Sequence, residues 1–274
     1  MTQDTDYWDK VHLNRLSSTR YLTLTRSKTG SWLRMLARPY SDYLIWDVLF
    51  PRYLPKTAGL KLVELGSAPG FNLVRLNHRF GYIPYGIERS EHGVRLNQRV
   101  FLENGLPPEN VIQADILSHS LRIRFKDSFD IVLSAGLIEH FDRPDQVVSV
   151  HLDLLAKGGY LVVSIPNLSG INRKLQAFFD RDVLQMHNTA IMEKARFMRL
   201  FPPSAVQTVF CDYIGTLNLS LFATRKGQLR KGILMLAKGL QILLNMALRT
   251  VLGPKGYELP CASPYLVFIG TKIG

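Results

Sequence analysis

Between residues 60 and 166 the chain repeats one pattern five times: an apolar run, a stop at small or acidic residues, then helical spacing. Such alternation implies a parallel sheet covered by helices on both faces, since each strand must be followed by a crossover before the next can lie beside it. The first copy is the most informative. Leu60 to Leu65 reads as a buried strand, Gly66-Ser67-Ala68-Pro69-Gly70 as a tight turn, and a helical pattern continues to Phe80. Glycines at 66 and 70 let the backbone approach a ligand with no Cβ in the way. The helix that follows aims its first N–H groups and its positive dipole end at that ligand. Glu64, at the end of the strand, suits a cationic amine better than a phosphate. The turn therefore favours a cofactor that carries positive charge.

The later copies add carboxylates at the same edge. Tyr82 to Ile87 is a second strand ending at Glu88, 22 residues after Gly66. A carboxylate there can accept both hydroxyls of a ribose. Val111 to Ala114 is a third strand ending at Asp115, and Phe129 to Ser134 is a fourth. Leu154 to Pro166 reads as a helix end, a break at Gly158-Gly159 and a fifth strand. Either acidic residue alone would read as a solvated strand end. Together they lie at the carboxyl ends of adjacent strands, where open α/β sheets bind ligands.

The turn lacks the second and third glycines of a dinucleotide fingerprint, since Ala68 and Phe71 stand there, and no Gly-Lys-Ser/Thr ending makes it a phosphate loop. Glu64-x-Gly66-x-x-x-Gly70, with the strands that follow, resembles motif I of the class I S-adenosylmethionine-dependent methyltransferases, Ala68 replacing the usual central glycine. That resemblance, over roughly residues 60 to 166, implies S-adenosylmethionine held by Glu64, Gly66, Ser67, Ala68 and Gly70, with Glu88 on the ribose. It also implies Asp115 on the adenine amino group, the backbone of Ile116 on a ring nitrogen, and Ser134 at the end of the fourth strand as a further contact. Arg89 departs from the pattern, where an apolar residue often packs on the base; it could stack on the adenine or face water. The expected fold is a Rossmann-like, mostly parallel seven-stranded sheet with helices on both faces and a helical insertion before the last strand.

Leu137-Ile138-Glu139-His140 after the fourth strand resembles the small-molecule methyltransferases of the quinone-biosynthesis type. His140 is then a candidate base, or a loop anchor; His187 is a second candidate base. Some relatives bind a metal with E-x-x-E-H, but Gly136 occupies the first of those positions, so no metal is expected. The implied acceptor is a small, hydrophobic or lipid-linked molecule methylated on oxygen.

Outside this core the chain is less regular. Residues 1–58 form an expected helical segment or lid carrying Tyr7, Trp8, Trp32, Tyr40, Tyr43 and Trp46; residues 59–274 form the expected methyltransferase domain. Within it, 167–204 is a helical connection, with helical periodicity from Asn188 to Phe201. A sixth strand is expected within Val209 to Leu221 and a seventh from Pro264 to Lys272. The acidic, polar start does not read as a secretory signal, and two cysteines, Cys211 and Cys261, give neither a disulfide framework nor metal spacing. These features point to a cytoplasmic enzyme, peripheral at the inner face of a membrane if the insertion binds lipid.

The insertion, residues 225–262, holds seven Lys or Arg against one acid, Glu258, so its net +6 is half of the whole chain's +12. Gln228 to Leu252 is a helical run dense in Leu, Ile and Met, whose longest uncharged window is too short to cross a bilayer. It could lie on an anionic membrane, cap a greasy pocket, pack on a second subunit or pack on its own domain. The same basic charge raises RNA as an alternative substrate, and the Ala68-Pro69-Gly70 turn resembles that of ribose 2′-O RNA methyltransferases. Their Lys-Asp-Lys-Glu set is lacking, since Ser134 and Pro166-Asn167 occupy two of its places. A catalytically inactive relative kept as an interaction module is the remaining alternative.

Overall fold

The computed structural model describes residues 38–273. Tyr7, Trp8 and Trp32 therefore lie outside the described residues. The sheet has seven strands: β1 (Lys61–Leu65), β2 (Ile83–Glu88), β3 (Val111–Gln113), β4 (Phe129–Ala135), β5 (Leu155–Pro166), β6 (Val206–Ile214) and β7 (Tyr265–Lys272). Their order is β3-β2-β1-β4-β5-β7-β6. The first five are parallel, and β7 runs antiparallel to both β5 and β6. The expected mostly parallel α/β sheet is the observed one.

Two apolar layers follow from strand alternation. On β7, Leu266 and Phe268 enter one layer with Val147, Val150, Leu154, Phe197 and Phe201. Val267 and Ile269 enter the other, with Tyr40, Leu44, Phe50, Leu73 and Val100. Each fully buried Leu or Ile contributes about 1.5–3 kcal/mol relative to exposure.

The helix after the glycine turn is α3 (Phe71–Phe80), preceded by α1 (Tyr40–Tyr43), a π-helical stretch (Leu44–Leu49) and α2 (Phe50–Tyr53). α3 buries Leu73, Val74 and Leu76 and stops at Gly81, whose φ of 73° gives the left-handed cap. α4 (Glu91–Glu103) starts at Ser90, whose Oγ accepts the Gly93 N–H. α5 (His119–Arg124) and α6 (Pro144–Leu154) complete the crossovers.

Three element boundaries differ from expectation, the first being β6, which begins at Val206, ahead of the expected Val209–Leu221 window, and ends at Ile214. Gly158 and Gly159 do not break a helix from a strand; β5 already begins at Leu155 and the glycines lie inside it. The register there jumps from Phe129↔Leu155 to Ile131↔Tyr160, so Gly158, at φ 74°, absorbs an irregularity. The helical run expected from Asn188 to Phe201 is a 3-10 turn (Thr189–Met192) and a short α9 (Lys194–Met198), broken at the extended Glu193. Before it come α7 (Gly170–Phe179) and α8 (Arg181–Gln185). The basic insertion carries α10 (Gln228–Leu252), as its periodicity predicts.

Candidate functional site

The turn after β1 is built so that only glycine fits twice. Gly66 sits at φ 69° and Gly70 at φ 94°; a Cβ on Gly66 would approach Leu137 Cδ1 to 3.0 Å, and one on Gly70 would approach Asn97 Oδ1 to 2.1 Å. The backbone N–H groups of Gly66 and Ser67 both donate to the Ile87 carbonyl, at 2.9 and 3.2 Å. Asn97 Nδ2, from α4, donates to Ser67 Oγ at 2.6 Å. The N-cap of α3 is Gly70, which has no side chain to cap the helix, so its amino end faces the turn.

Glu64 is buried beneath that mouth. Its Oε1 accepts from Asn72 Nδ2 at 2.7 Å, and its Oε2 has no hydrogen-bond partner. Burial pushes its pKa up to about 8, with Asn72 opposing and the negative Glu88 adding to the rise. An orphaned buried carboxylate oxygen asks for a donor, and a cationic amine fits. Glu88, also buried, accepts from the N–H of Ala68 at 3.3 Å and of Ser90 at 2.9 Å. A Cβ at Gly93 would come 2.8 Å from Glu88 Cγ, so that glycine makes room for the carboxylate.

Asp115 and Arg89 are partly exposed and face each other at 3.8 Å, while Asp115 Oδ1 accepts the Leu117 N–H at 2.9 Å. Arg89 thus stands beside the acid rather than simply in water. Ile116 sends its side chain into the core, leaving only its backbone at the edge. Ser134 is fully buried, and its hydroxyl donates to His151 Nε2 at 2.9 Å, because His151 Nδ1–H is given to the Val147 carbonyl at 2.7 Å.

The two candidate bases come together although they are far apart in sequence. The rings of His140 and His187 lie 4.7 Å apart. His140 Nδ1 pairs with the Met186 carbonyl at 3.0 Å and His187 Nδ1 with the Val183 carbonyl at 2.8 Å. A carbonyl only accepts, so both Nδ1 atoms carry the proton and both Nε2 atoms carry the lone pair. Burial pushes the His140 pKa down to about 4, with His187 adding to the fall, and burial also lowers that of His187. Glu139 lies beside them, buried, with Oε2 unpartnered and its pKa pushed up to about 8 by desolvation. The ligand atoms of Glu139, His140 and His187 all lie within 4.8 Å of one another. That set corrects the ground for rejecting a metal: Gly136 removes the local motif, but the fold substitutes His187, giving two imidazoles and a carboxylate that a divalent cation can use.

A cavity of about 240 Å³ opens at the carboxyl edge of β4 and β5. Ile45, Trp46, Phe50 and Leu133 form its apolar wall, with Asn72, Ser41 and Asn218 as polar points. Asn72, Gly93, Asn97 and Glu139 were not expected at the site. Asn72 flanks a motif residue and Glu139 lies inside the Leu137–His140 motif, where only His140 was given a role; Gly93 and Asn97 share one helix face at i, i+4, but nothing in the sequence says that this face meets the turn.

A parallel sheet with a glycine turn at its carboxyl edge, a buried carboxylate under that turn and a second at the next strand's end defines a nucleoside-cofactor enzyme of the α/β class. Residues 56–210 match the family described as "Methyltransferase domain", more than half of the chain, and the chain belongs to that family. A ubiquinone biosynthesis O-methyltransferase of Leptothrix cholodnii is 25% identical over 144 residues, 53% of this chain and 60% of the relative. The chain thus aligns with less than two thirds of that relative's length. Among solved structures, the [4+2]-cyclase SpnF superposes with a TM-score of 0.54 at 16% identity, covering 84% of this chain and 81% of its own. A geranyl diphosphate C-methyltransferase from Streptomyces coelicolor A3(2), solved with Mg²⁺, geranyl diphosphate and S-adenosyl-L-homocysteine, gives 0.52 at 14% identity, covering 85% and 79%. At such identities the likeness concerns the fold.

Proposed function

We propose that the protein methylates an oxygen of a small, hydrophobic or lipid-linked acceptor. The observation that carries this reading is the apolar cavity at the carboxyl edge of β4 and β5, whose Asn72 also holds Glu64. S-adenosylmethionine supplies an electrophilic methyl group on a sulfonium. Glu64 would hold the cofactor's ammonium, Glu88 its ribose hydroxyls and Asp115 its adenine amino group. Trp46, Phe50 and Leu133 exclude water and hold the acceptor's apolar body, fixing its oxygen for in-line attack. His140 and His187 are not among the residues that line this cavity; the neutral imidazole Nε2 atoms of the pair would take the acceptor's O–H proton as the methyl group is transferred to that oxygen. O-methyl chemistry is also named for the Leptothrix cholodnii relative. The RNA alternative is disfavoured because Ser134 and Asn167 are buried, engaged with His151 and with the carbonyls of Pro260 and Ser263.

Incubation of the protein with labelled S-adenosylmethionine and a panel of hydrophobic phenols, lipid-linked phenols and RNA tests the reading. An O-methylated apolar product is expected. Methylated RNA, or transfer only to nitrogen or carbon, would overturn it.

A further inference from the structure

Among the described residues, α10 is attached to the domain along one face. Leu234 packs with Phe179 and Phe222. Gln241 accepts the Leu219 N–H at 2.6 Å and donates to the Leu217 carbonyl at 3.3 Å, and Asn245 Oδ1 accepts the Tyr40 N–H at 3.0 Å. The opposite face is apolar and open. Leu229, Ile233, Leu236, Leu240 and Leu243 recur at steps of four, three, four and three, one stripe of a helix. Leu229 is 77% exposed, Leu236 76% and Leu243 65%. The patch continues onto α7 through the exposed Phe178, over whose ring the Arg230 guanidinium sits at 5.9 Å.

Charge identifies what covers this face. Lys231 and Lys238 are exposed and lie at the border between the docked and open faces, and Lys255 is exposed just beyond the helix. At about 100° per residue, no charged side chain falls inside the open apolar stripe itself. A second protein core would not call for this one-signed border, and a nucleic acid would not call for the leucines. An anionic lipid surface calls for both: apolar side chains enter the headgroup–acyl boundary while lysines reach the phosphates. The expectation that this run is too short to span is corrected, since the 25-residue helix is long and apolar enough to cross a bilayer; Leu234, Gln241 and Asn245 nevertheless fasten it to the domain along its length, the arrangement of a helix lying on a surface.

We propose that α10 docks the protein on an anionic membrane surface through its open face, which runs from Ile242 and Met235 through Leu243 and Leu236 to Leu240, with Lys231 and Lys238 reaching the headgroups from the flank beside Ile242. Arg249 is not part of this contact: its guanidinium lies 4.7 Å from the Tyr43 ring centre and donates to the Arg38 carbonyl. The docking does not rest on the acceptor assignment, because it is read without acceptor or cofactor. It would, however, bring the cavity close to lipid, since Tyr40 is bonded to α10 and its neighbour Ser41 lines the cavity.

The test is co-sedimentation of the full chain with phosphatidylcholine vesicles, with and without about one-third phosphatidylglycerol. Binding to the anionic vesicles, weak binding to the neutral ones and partial release by salt are expected, because screening weakens only the lysine contribution. Lys231→Gln with Lys238→Gln should weaken binding by about 30-fold, near fivefold for each lysine. Leu236→Glu with Leu243→Glu should abolish it while circular dichroism shows an unchanged fold, both side chains being exposed. No binding to anionic vesicles, or binding that survives the double glutamate variant, would overturn the proposal. So would a dimer that this variant dissociates in a protein that ignores vesicles, which would assign the face to a second copy.

Discussion

Asn97 holds the cofactor turn from beneath: its Nδ2 donates to Ser67 Oγ at 2.6 Å, while its Oδ1 occupies the space a Cβ on Gly70 would need. The contact couples α4 to the loop between β1 and α3, two crossovers that sequence order alone does not join. Asn97→Ala removes a buried hydrogen bond and should cost about 1–3 kcal/mol of stability, with weaker S-adenosylmethionine binding from the loosened turn. Gly70→Ala should cost a further about 1–3 kcal/mol of backbone strain besides the collision with Asn97. Urea denaturation and calorimetry read both quantities. An Asn97→Ala protein unchanged in each would show that the turn stands without α4.

Glu88 is set by three neighbours, the N–H groups of Ala68 and Ser90 and the empty Cβ position of Gly93. Glu88→Ala removes the expected ribose acceptor and should cost about 1.5–3 kcal/mol of cofactor binding, or about 10- to 150-fold in affinity. Gly93→Ala keeps the carboxylate but displaces it, so affinity should fall there too. A Glu88→Ala protein with wild-type affinity would remove β2 from the cofactor site.

The strands and the two glycines of the turn were legible because burial on both faces writes near-continuous apolar runs, and because positive φ requires glycine. Which way the Ser134 side chain faces follows from strand alternation. Leu133 and Ala135 line the cavity, so Ser134, one residue out of phase, faces α6 and His151. The pairing of His140 with His187, 47 residues on, depends on how α8 returns against the loop after β4, and local sequence carries no such distance. The Gly158-Gly159 pair looked like a helix stop because glycine is common there; strand irregularities recruit it equally.

Glu64 predicts a pH dependence of cofactor binding. Folded, it keeps its proton up to about pH 8, whereas an unfolded glutamate loses it near pH 4.5. Its contribution to stability is therefore full below about pH 4.5 and is lost as pH rises towards 8. A bound ammonium lowers the carboxyl pKa, so binding releases a proton and affinity should rise between about pH 6 and 7.5, by at most about tenfold per unit. Glu64→Gln should flatten that slope, bind more weakly and lose the stability decline. Calorimetry in buffers of different ionisation enthalpy measures the released proton. A pH-independent wild-type affinity would place the cofactor's amine elsewhere.

The histidine pair predicts the opposite kind of profile. Burial keeps His140 neutral down to about pH 4, and His187 is shifted in the same direction, so each Nε2 is ready to accept a proton throughout the neutral range. Turnover should then show no ascending limb near pH 6.5, where an unperturbed histidine would place it. His140→Ala should lower kcat by about 10²–10⁴ with cofactor affinity unchanged, the size expected for losing a general base. His187→Ala separates two roles for the second ring. If it serves only as a neighbour, its loss should raise the His140 pKa in part, burial being the larger cause, without abolishing turnover; if it is the proton acceptor, kcat falls as for His140→Ala. A limb near pH 6.5 in the wild type would show that the imidazoles are not held in the desolvated pocket. Activity lost to a chelator and restored by a divalent cation would instead make Glu139, His140 and His187 metal ligands, with the cation lowering the acceptor's pKa in place of a base.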